Sequence, residues 1–202
     1  MVHREKVREF IRSELLQAGA SVFGQKGFHQ ATLEEIAKKA DVAVGTLYLY
    51  FKSKEEMYFG LFEQKATSFM DHLHSQLRTF SNPLEQLKAF VNGMLEYFEK
   101  ESDFFSIYLY ERTNLERVRQ NGISKQMFNL ATKPVTMLTE IIHDAQDASL
   151  ITAQDPKYLA FLLNGMVNAM ILQWCVGGKK GSLTDKADVI LSTFMDGARR
   201  KQ

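Results

Sequence analysis

The stretch from residue 32 to residue 54, TLEEIAKKADVAVGTLYLYFKSK, decides the fold of this chain. Its first half places Leu33 and Ile36 on one face of a helix, with charged residues on the opposite face. Thr32 is a favourable N-cap, and Glu35 three residues later completes a capping box. We therefore expect a short amphipathic helix to begin just after Thr32.

A second, shorter helix is predicted from about residue 43 to residue 50, after a turn at Asp41, a residue type that tolerates left-handed backbone angles. Only Val42, Leu47 and Phe51 can form its inner face. Two short helices joined by a tight turn indicate a helix-turn-helix, whose second helix enters the major groove of DNA. Tyr and Thr reach phosphates and base edges, and Gly lets the backbone approach closely. The outward residues predicted to contact DNA are Val44, Gly45, Thr46, Tyr48 and Tyr50.

The spacing extends in both directions from this segment. A preceding helix with Leu15, Leu16, Ala18 and Phe23 ends at Gly27-Phe28. The pattern continues through Thr32, Ile36-Ala37, Ala40, Val42, Gly45-Thr46, Tyr48, Phe51, Lys54 and Glu55-Glu56-Met57. Over about a quarter of the chain, these residue types at this spacing resemble the N-terminal domain of the TetR family of bacterial transcriptional regulators.

The resemblance implies a three-helix DNA-binding head, a larger helical body that binds an effector and dimerises, and release from an operator when the effector binds. Thr32, Lys52 and Lys54 flank the two short helices and complete the predicted DNA-binding set. Two residues depart from the family pattern, which usually has Gly at the turn and Ser or Thr at the start of the recognition helix. This chain has Asp41 and Ala43 there, so no side-chain phosphate contact is expected from residue 43.

Composition agrees with an all-α chain of 202 residues, since 45% of the residues are hydrophobic, three are proline, and long stretches follow the helical period. We predict a helix-turn-helix domain at 1–54 and a larger C-terminal helical domain at 55–202. Residues 1–54 hold nine Lys or Arg against six Asp or Glu, whereas the rest hold sixteen against eighteen. This mild basic excess has the sign expected of a DNA-binding head, and Arg4, Lys6, Arg8 and Arg12 are placed to reach the phosphate backbone.

The sequence offers no constellation for catalysis. It contains no HExxH motif, no paired-cysteine metal motif and no phosphate-binding loop that follows a strand, so neither enzyme activity nor a cofactor or metal is predicted. Cys175 is the single cysteine, which excludes an intramolecular disulfide. Because no hydrophobic signal segment precedes the first charged helix, we expect a cytoplasmic protein.

Residues 158–178 contain no charged residue and are long enough to span a bilayer. Asn164, Asn168 and Gln173 would be costly in lipid, and no second segment resembles this one, so burial against the body and a partner chain is favoured over a membrane. A final helix is predicted from about residue 184 to residue 199, and the two helices resemble half of a four-helix dimer interface. The predicted interface residues are Phe161, Gly165, Ala169, Leu172, Ile190, Leu191 and Phe194.

A ligand pocket is indicated by polar side chains placed among apolar ones, because buried polar groups need partners. The candidate effector-binding residues are Tyr97, Phe104, Tyr108, Asn164, Asn168 and Trp174. Few formal charges would line such a pocket, which favours a hydrophobic or amphipathic effector; Arg112, Arg117 and Arg119 are candidates for an acidic head group. The favoured function is a ligand-responsive repressor that binds a palindromic DNA operator as a homodimer. The alternative is a helical lipid- or drug-binding carrier without DNA-binding activity.

Overall fold

The computed structural model describes residues 2–113 and 123–198, and within those ranges every regular element is a helix, as predicted. The helices are α1 (Val2–Gln30), α2 (Leu33–Lys39), α3 (Val44–Tyr48), α4 (Lys54–Leu77), α5 (Pro83–Lys100), α6 (Ser102–Thr113), α7 (Ile123–Asp147), α8 (Pro156–Val176) and α9 (Ala187–Ala198). A single 3-10 turn, Thr184–Lys186, precedes α9. The predicted connector at 114–122, with Arg117 and Arg119, lies outside the described residues, as do the side chains of Arg4 and Arg112.

The helices form two compact units. The first unit contains Met1–Ala66 and Asp103–Leu130, and the second contains Thr67–Ser102 and Ala131–Gln202. The first half of α4 belongs to the first unit because its apolar residues Met57, Tyr58 and Leu61 are buried there. The predicted division between residues 54 and 55 therefore does not coincide with the division into compact units.

Side-chain caps set the starts of several helices. At α2, Thr32 Oγ1 accepts a hydrogen bond from Glu35 N, and Glu35 Oε2 accepts one from Thr32 N, which confirms the predicted capping box. At α5, Asn82 Oδ1 accepts from Leu84 N at 2.8 Å, with Pro83 at the first helical position. Local residue choice therefore fixes where these helices begin.

The C-terminal helix starts later than predicted. Residues 184–186 form the 3-10 turn, and the α-helix begins only at Ala187. A carboxylate from α5 stabilises this start: Glu99 accepts hydrogen bonds from Ser182 Oγ at 3.1 Å and from Leu183 N at 2.9 Å. Because Glu99 is distant in sequence, local propensity could not place this boundary.

Candidate functional site

An aromatic cluster in the first unit supports the helix-turn-helix. The Phe23 ring lies 5.0 Å from the Tyr58 ring, and the Phe28 ring lies 4.9 Å from the Tyr58 ring, measured between centroids. The cluster joins the end of α1 to the start of α4. Gly27, at φ +74°, interrupts the helical backbone of α1 just before Phe28, as the sequence predicts.

The turn between α2 and α3 is held by the backbone. Asp41 has φ +56°, in the left-handed region, which confirms the predicted turn. Asp adopts this conformation more readily than most residues. Val42 N donates to Ala37 O at 3.0 Å across the turn. Ala43 occupies the N-cap position of α3, but its methyl side chain cannot accept a hydrogen bond from the first turn. The orientation of α3 therefore depends on burial of its inner face.

That inner face consists of Leu47 and Phe51, which are almost completely buried. On the opposite side, Gly45 is exposed, Tyr48 is 51% exposed and Leu49 is 74% exposed. We call Gly45, Tyr48 and Leu49 the recognition surface, because residues three and four apart share a helix face. The other outward predictions are less exposed than expected: Val44, Thr46 and Tyr50 are all half-buried.

Gly45 has no structural role inside the protein that requires glycine. A Cβ added there would meet no atom within 4 Å, and its φ is not in the left-handed region. Glycine in a helix costs up to about 1 kcal/mol relative to alanine. A glycine in this open helical position leaves the backbone accessible from outside, which agrees with the DNA contact predicted for Gly45.

The lysines after α3 differ in their surroundings. Lys52 is exposed. In contrast, Lys54 Nζ donates to Ala31 O at 3.1 Å and to His29 O at 3.4 Å, and it lies 4.5 Å from the centroid of the Phe28 ring. Lys54, predicted to contact DNA, thus uses its ammonium to hold the last turn of α1 and the residue that follows it. That contact within the chain was not predicted.

Two arginines of α1 lie against the aromatic residues that follow α3. Arg8 Cζ is 6.0 Å from the centroid of the Tyr50 ring, and Arg12 Cζ is 5.1 Å from that of Phe51. Cation–π contacts of this kind orient a guanidinium with little loss of its hydrogen-bonding capacity. They place two exposed positive charges beside the recognition helix, as the clustering of basic residues suggested.

The second unit carries an exposed apolar stripe on α8. Phe161 is 64% exposed, and Gly165 has no atom within 4 Å of an added Cβ. Spacings of three, four and seven residues place the exposed residues along one face of the helix. We call this face the α8 stripe; its members are Tyr158, Phe161, Leu162, Gly165, Ala169, Leu172 and Val176. Four of the predicted interface residues belong to it.

The interface residues predicted on α9 are corrected by the structure. Ile190, Leu191 and Phe194 are buried within their own protomer, against α5 and α8. The face that α9 leaves open carries Val189 and Gly197 instead. An amphipathic pattern identifies the buried face of a helix, but it does not say whether the same chain or a partner covers that face.

The α8 helix is long and apolar enough to cross a membrane, with a mean hydropathy of 1.6. Within the described residues it is the one helix with this property, and 44% of that segment is buried in the protein. A core helix of a soluble protein has the same length and composition. Hydropathy therefore gives little support to a membrane location.

The predicted effector residues are all buried, but they lie in different units. Phe104 and Tyr108 belong to the first unit, whereas Tyr97, Asn164 and Asn168 belong to the second. Burial raises the pKa of Tyr97 to about 12, so its hydroxyl stays protonated at neutral pH.

Trp174, predicted to bind the effector, already uses its indole N–H within the chain. Its Nε1 donates to Gly181 O at 3.0 Å, in the loop after α8. Because indole has only one donor, Trp174 has no further hydrogen bond to offer.

A cavity of about 310 Å³ opens in the first unit between α1, α4 and α6. Phe23, Phe28, Tyr58 and Ile107 contribute to its wall, and none of the six predicted effector residues does. Beside it, Tyr58 donates a buried hydrogen bond of 2.9 Å to Glu111 Oε1. Sequence reasoning missed this bond because a glutamate near the end of a helix is usually solvated.

Comparison with known protein families agrees with this architecture. Residues 15–61 match the family described as bacterial regulatory proteins, tetR family, and residues 81–197 match the Tetracyclin repressor-like C-terminal domain. The chain belongs to the TetR family. The resemblance inferred from the helix-turn-helix is thereby confirmed, together with the all-α fold of a DNA-binding head and a C-terminal helical domain.

Relatives of this TetR-family chain extend over nearly its full length. The fatty acid metabolism regulator protein of Bacillus subtilis is 25% identical over 191 residues, covering 93% of this chain and 95% of the relative. The solved structure of Bacillus subtilis FadR in complex with stearoyl-CoA has a TM-score of 0.75 at 23% identity, covering 93% of this chain and 99% of that one. A putative fatty acid metabolism regulator of Clostridium perfringens has a TM-score of 0.79 at 25% identity, covering 93% and 100%.

TetR-family proteins are DNA-binding transcriptional regulators and not enzymes, as the sequence predicted. The recognition surface lies within residues 15–61, the part of this chain that matches the family's N-terminal model. The helical C-terminal domain is the ligand-binding part of the regulator. Which residues contact the operator and the ligand stays a prediction at the level of individual side chains.

Proposed function

We propose that this TetR-family chain is a repressor that binds a palindromic operator as a homodimer and leaves it when a long-chain acyl-CoA binds the helical body. The observation that carries the proposal is the recognition surface. Gly45 and Leu49 have no role in the packing of their own unit, and they lie on the exposed side of the second helix of a helix-turn-helix. A DNA major groove accounts for such a surface.

The α8 stripe supports the homodimer. A long apolar face with an open glycine suits the close approach of an identical helix, and such a face is costly to leave in water. Two heads on one dimer also explain how a recognition helix as short as Val44–Tyr48 gains specificity, because two half-sites are read together. Gly197, exposed on α9 with no atom within 4 Å of an added Cβ, extends the proposed interface to a second helix.

The relatives support the class of effector. One similar structure holds stearoyl-CoA, and the relatives named above are regulators of fatty acid metabolism. An acyl-CoA is amphipathic, in agreement with the effector expected for a pocket lined by few formal charges. The buried polar residues Tyr97, Asn164 and Asn168 are the candidates for hydrogen bonds to the ligand in the second unit. Such a regulator acts in the cytoplasm, where both DNA and acyl-CoA are present.

The proposal is tested by selecting bound duplexes from a random DNA pool at two salt concentrations. We expect a palindromic site whose affinity falls steeply as salt rises, because Lys and Arg contacts to phosphate release counterions. Absence of enrichment at either salt concentration would reject DNA binding and favour the lipid- or drug-carrier function. An enriched site without two-fold symmetry would reject the homodimeric operator.

The effector is tested on the selected site by fluorescence anisotropy. Stearoyl-CoA is expected to release the DNA, whereas coenzyme A alone is not, because the acyl chain supplies most of the buried apolar area. Stearate serves as the control for a detergent-like effect. Equal release by stearate and stearoyl-CoA would reject the thioester ligand, and no release by either would reject the proposed effector class.

A further inference from the structure

Leu49 is the most exposed large aliphatic residue of the helix-turn-helix. It is the C-cap of α3, with φ −70° and ψ −20°, so its backbone continues the helix by one residue. Its side chain is 74% exposed, although the flanking Leu47 and Phe51 are buried. The sequence alone did not single it out, because only the polar and small residues of this helix were considered as DNA contacts.

The position of Leu49 relative to Gly45 is informative. The two residues are four apart, and a helical side chain leans toward the N-terminus over the preceding turn. The isobutyl group of Leu49 therefore extends on the same face as Gly45, where an added Cβ would meet nothing within 4 Å. Together they form an aliphatic projection beside bare backbone, with the half-exposed Tyr48 next to it.

Base edges in the major groove offer few matches for such a group. Guanine, cytosine and adenine present hydrogen-bond donors and acceptors, whereas thymine also presents its C5 methyl. An aliphatic side chain gains from contact with that methyl, and it leaves polar base edges unsatisfied. Thymine is thus the base whose major-groove edge best matches the aliphatic side chain of Leu49.

We propose that Leu49 is a specificity residue of this regulator, which contacts the C5 methyl of a thymine in each half-site of the operator. The proposal rests on the proposed operator binding, and it adds the base that the recognition surface prefers and the atom through which it is recognised. The exposed Tyr48 and Lys52, together with Arg8 on the Tyr50 ring, are available for polar and charged contacts to the same DNA.

The test removes the methyl groups singly. Each thymine of the selected site is replaced by deoxyuridine in both half-sites, and the affinity is measured by anisotropy for the wild type, for Leu49→Ala and for Leu150→Ala. Leu150 is 37% exposed in the second unit and serves as the matched leucine control. Circular dichroism checks that each variant is folded. We expect both variants to fold, because both leucines are exposed.

We expect one thymine per half-site at which the loss of the methyl weakens wild-type binding by about fourfold per half-site, the loss that follows from one buried methyl group. Leu150→Ala is expected to show the same loss. Leu49→Ala is expected to bind the thymine-containing site more weakly than the wild type, and to lose no further affinity with deoxyuridine. This non-additivity is the signature of a direct contact.

Two results would overturn the inference while operator binding itself stands. One is a wild type that binds every deoxyuridine site as well as the original. The other is a Leu49→Ala variant that keeps the full sensitivity to deoxyuridine. A wild type that selects no DNA at all would instead reject the proposed function, so the two failures are distinguishable.

Discussion

Gly24 and Gly45 are both helical glycines of the first unit, but their surroundings differ. A Cβ on Gly24 would lie 2.6 Å from the backbone oxygen of Asp103, so glycine is needed there for α1 and α6 to pack. A Cβ on Gly45 would meet nothing within 4 Å. The fold thus explains the first glycine, whereas it does not require the second, for which we propose close contact with DNA.

Replacing Gly45 by Ala should separate stability from DNA binding. Alanine favours the helix by up to about 1 kcal/mol, so the midpoint of thermal unfolding should rise slightly or stay unchanged. Affinity for the selected DNA site should fall, because the added methyl keeps the backbone from the groove. Calorimetry and anisotropy measure the two effects, and Gly24→Ala is the contrasting variant that should lose stability. Unchanged DNA affinity in Gly45→Ala would contradict the assigned close approach.

Tyr97 predicts how stability depends on alkaline pH. Burial raises its pKa to about 12, above the ordinary value of a tyrosine, so the folded state favours the neutral phenol. This stabilisation is complete below about pH 10 and is lost as pH rises through about 12. The free energy of unfolding should therefore fall more steeply in this window for the wild type than for Tyr97→Phe, by an amount on the order of 2 kcal/mol. Denaturant titrations at a series of pH values measure the difference, and parallel curves would contradict it.

The elements show which features the sequence could reveal. The start of α2 was predictable because its capping box is formed by residues three apart, and the left-handed turn at Asp41 is equally local. The fully buried Glu111 was not predictable, because its partner Tyr58 comes from another helix. Likewise, the stripe on α9 was assigned to a partner chain, although α5 and α8 of the same chain cover it.

Lys54 connects α4 to the end of α1, and its replacement should lower the stability of the first unit. Lys54→Ala removes hydrogen bonds to Ala31 O and His29 O and the contact with Phe28. Since the ammonium is only partly buried, we expect a loss of about 1 kcal/mol in the free energy of unfolding. Tyr48→Ala, on the exposed face, should weaken DNA binding at unchanged stability. Denaturant unfolding distinguishes the two, and equal stabilities would show that the Lys54 contacts contribute little.

At the scale of the whole molecule, the α8 stripe is an apolar surface that is exposed in the single chain. It contains four of the residues predicted at the dimer interface, whereas those on α9 are internal. The sequence showed that residues 158–178 carry no charge, but only the packed structure separates the inner face of α8 from the exposed one. Because the exposed face of α8 is known, the proposed homodimer can be tested by substitutions on that face alone.

Gly165→Glu is expected to give a folded monomer. Glutamate is a better helix former than glycine, and the position is exposed in the single chain, so the protomer should stay stable. A charge on each copy would then meet its symmetry mate in the proposed interface and oppose pairing. Light scattering measures the mass and circular dichroism the fold, with Gly165→Ala as the control that keeps a small residue.

Phe194→Glu should behave differently from Gly165→Glu. Phe194 is buried inside the protomer, so a charge there should unfold the second unit instead of producing a folded monomer. A stable dimer carrying Gly165→Glu would exclude the α8 stripe as the interface. A folded monomer carrying Phe194→Glu would argue that α9 contributes to pairing after all.

A homodimer formed through the α8 stripe, as we propose, would make gene control depend on the concentration of the protein in the cell. When two chains must meet before an operator is held, the concentration of the active form varies with the square of the chain concentration while most chains are single. Halving the chain concentration, as one doubling of cell volume without new synthesis does, would then reduce a low operator occupancy about fourfold, a sharper response to dilution than a monomeric regulator gives. The apolar face of α8 would thus set how many copies a cell must keep to silence its targets.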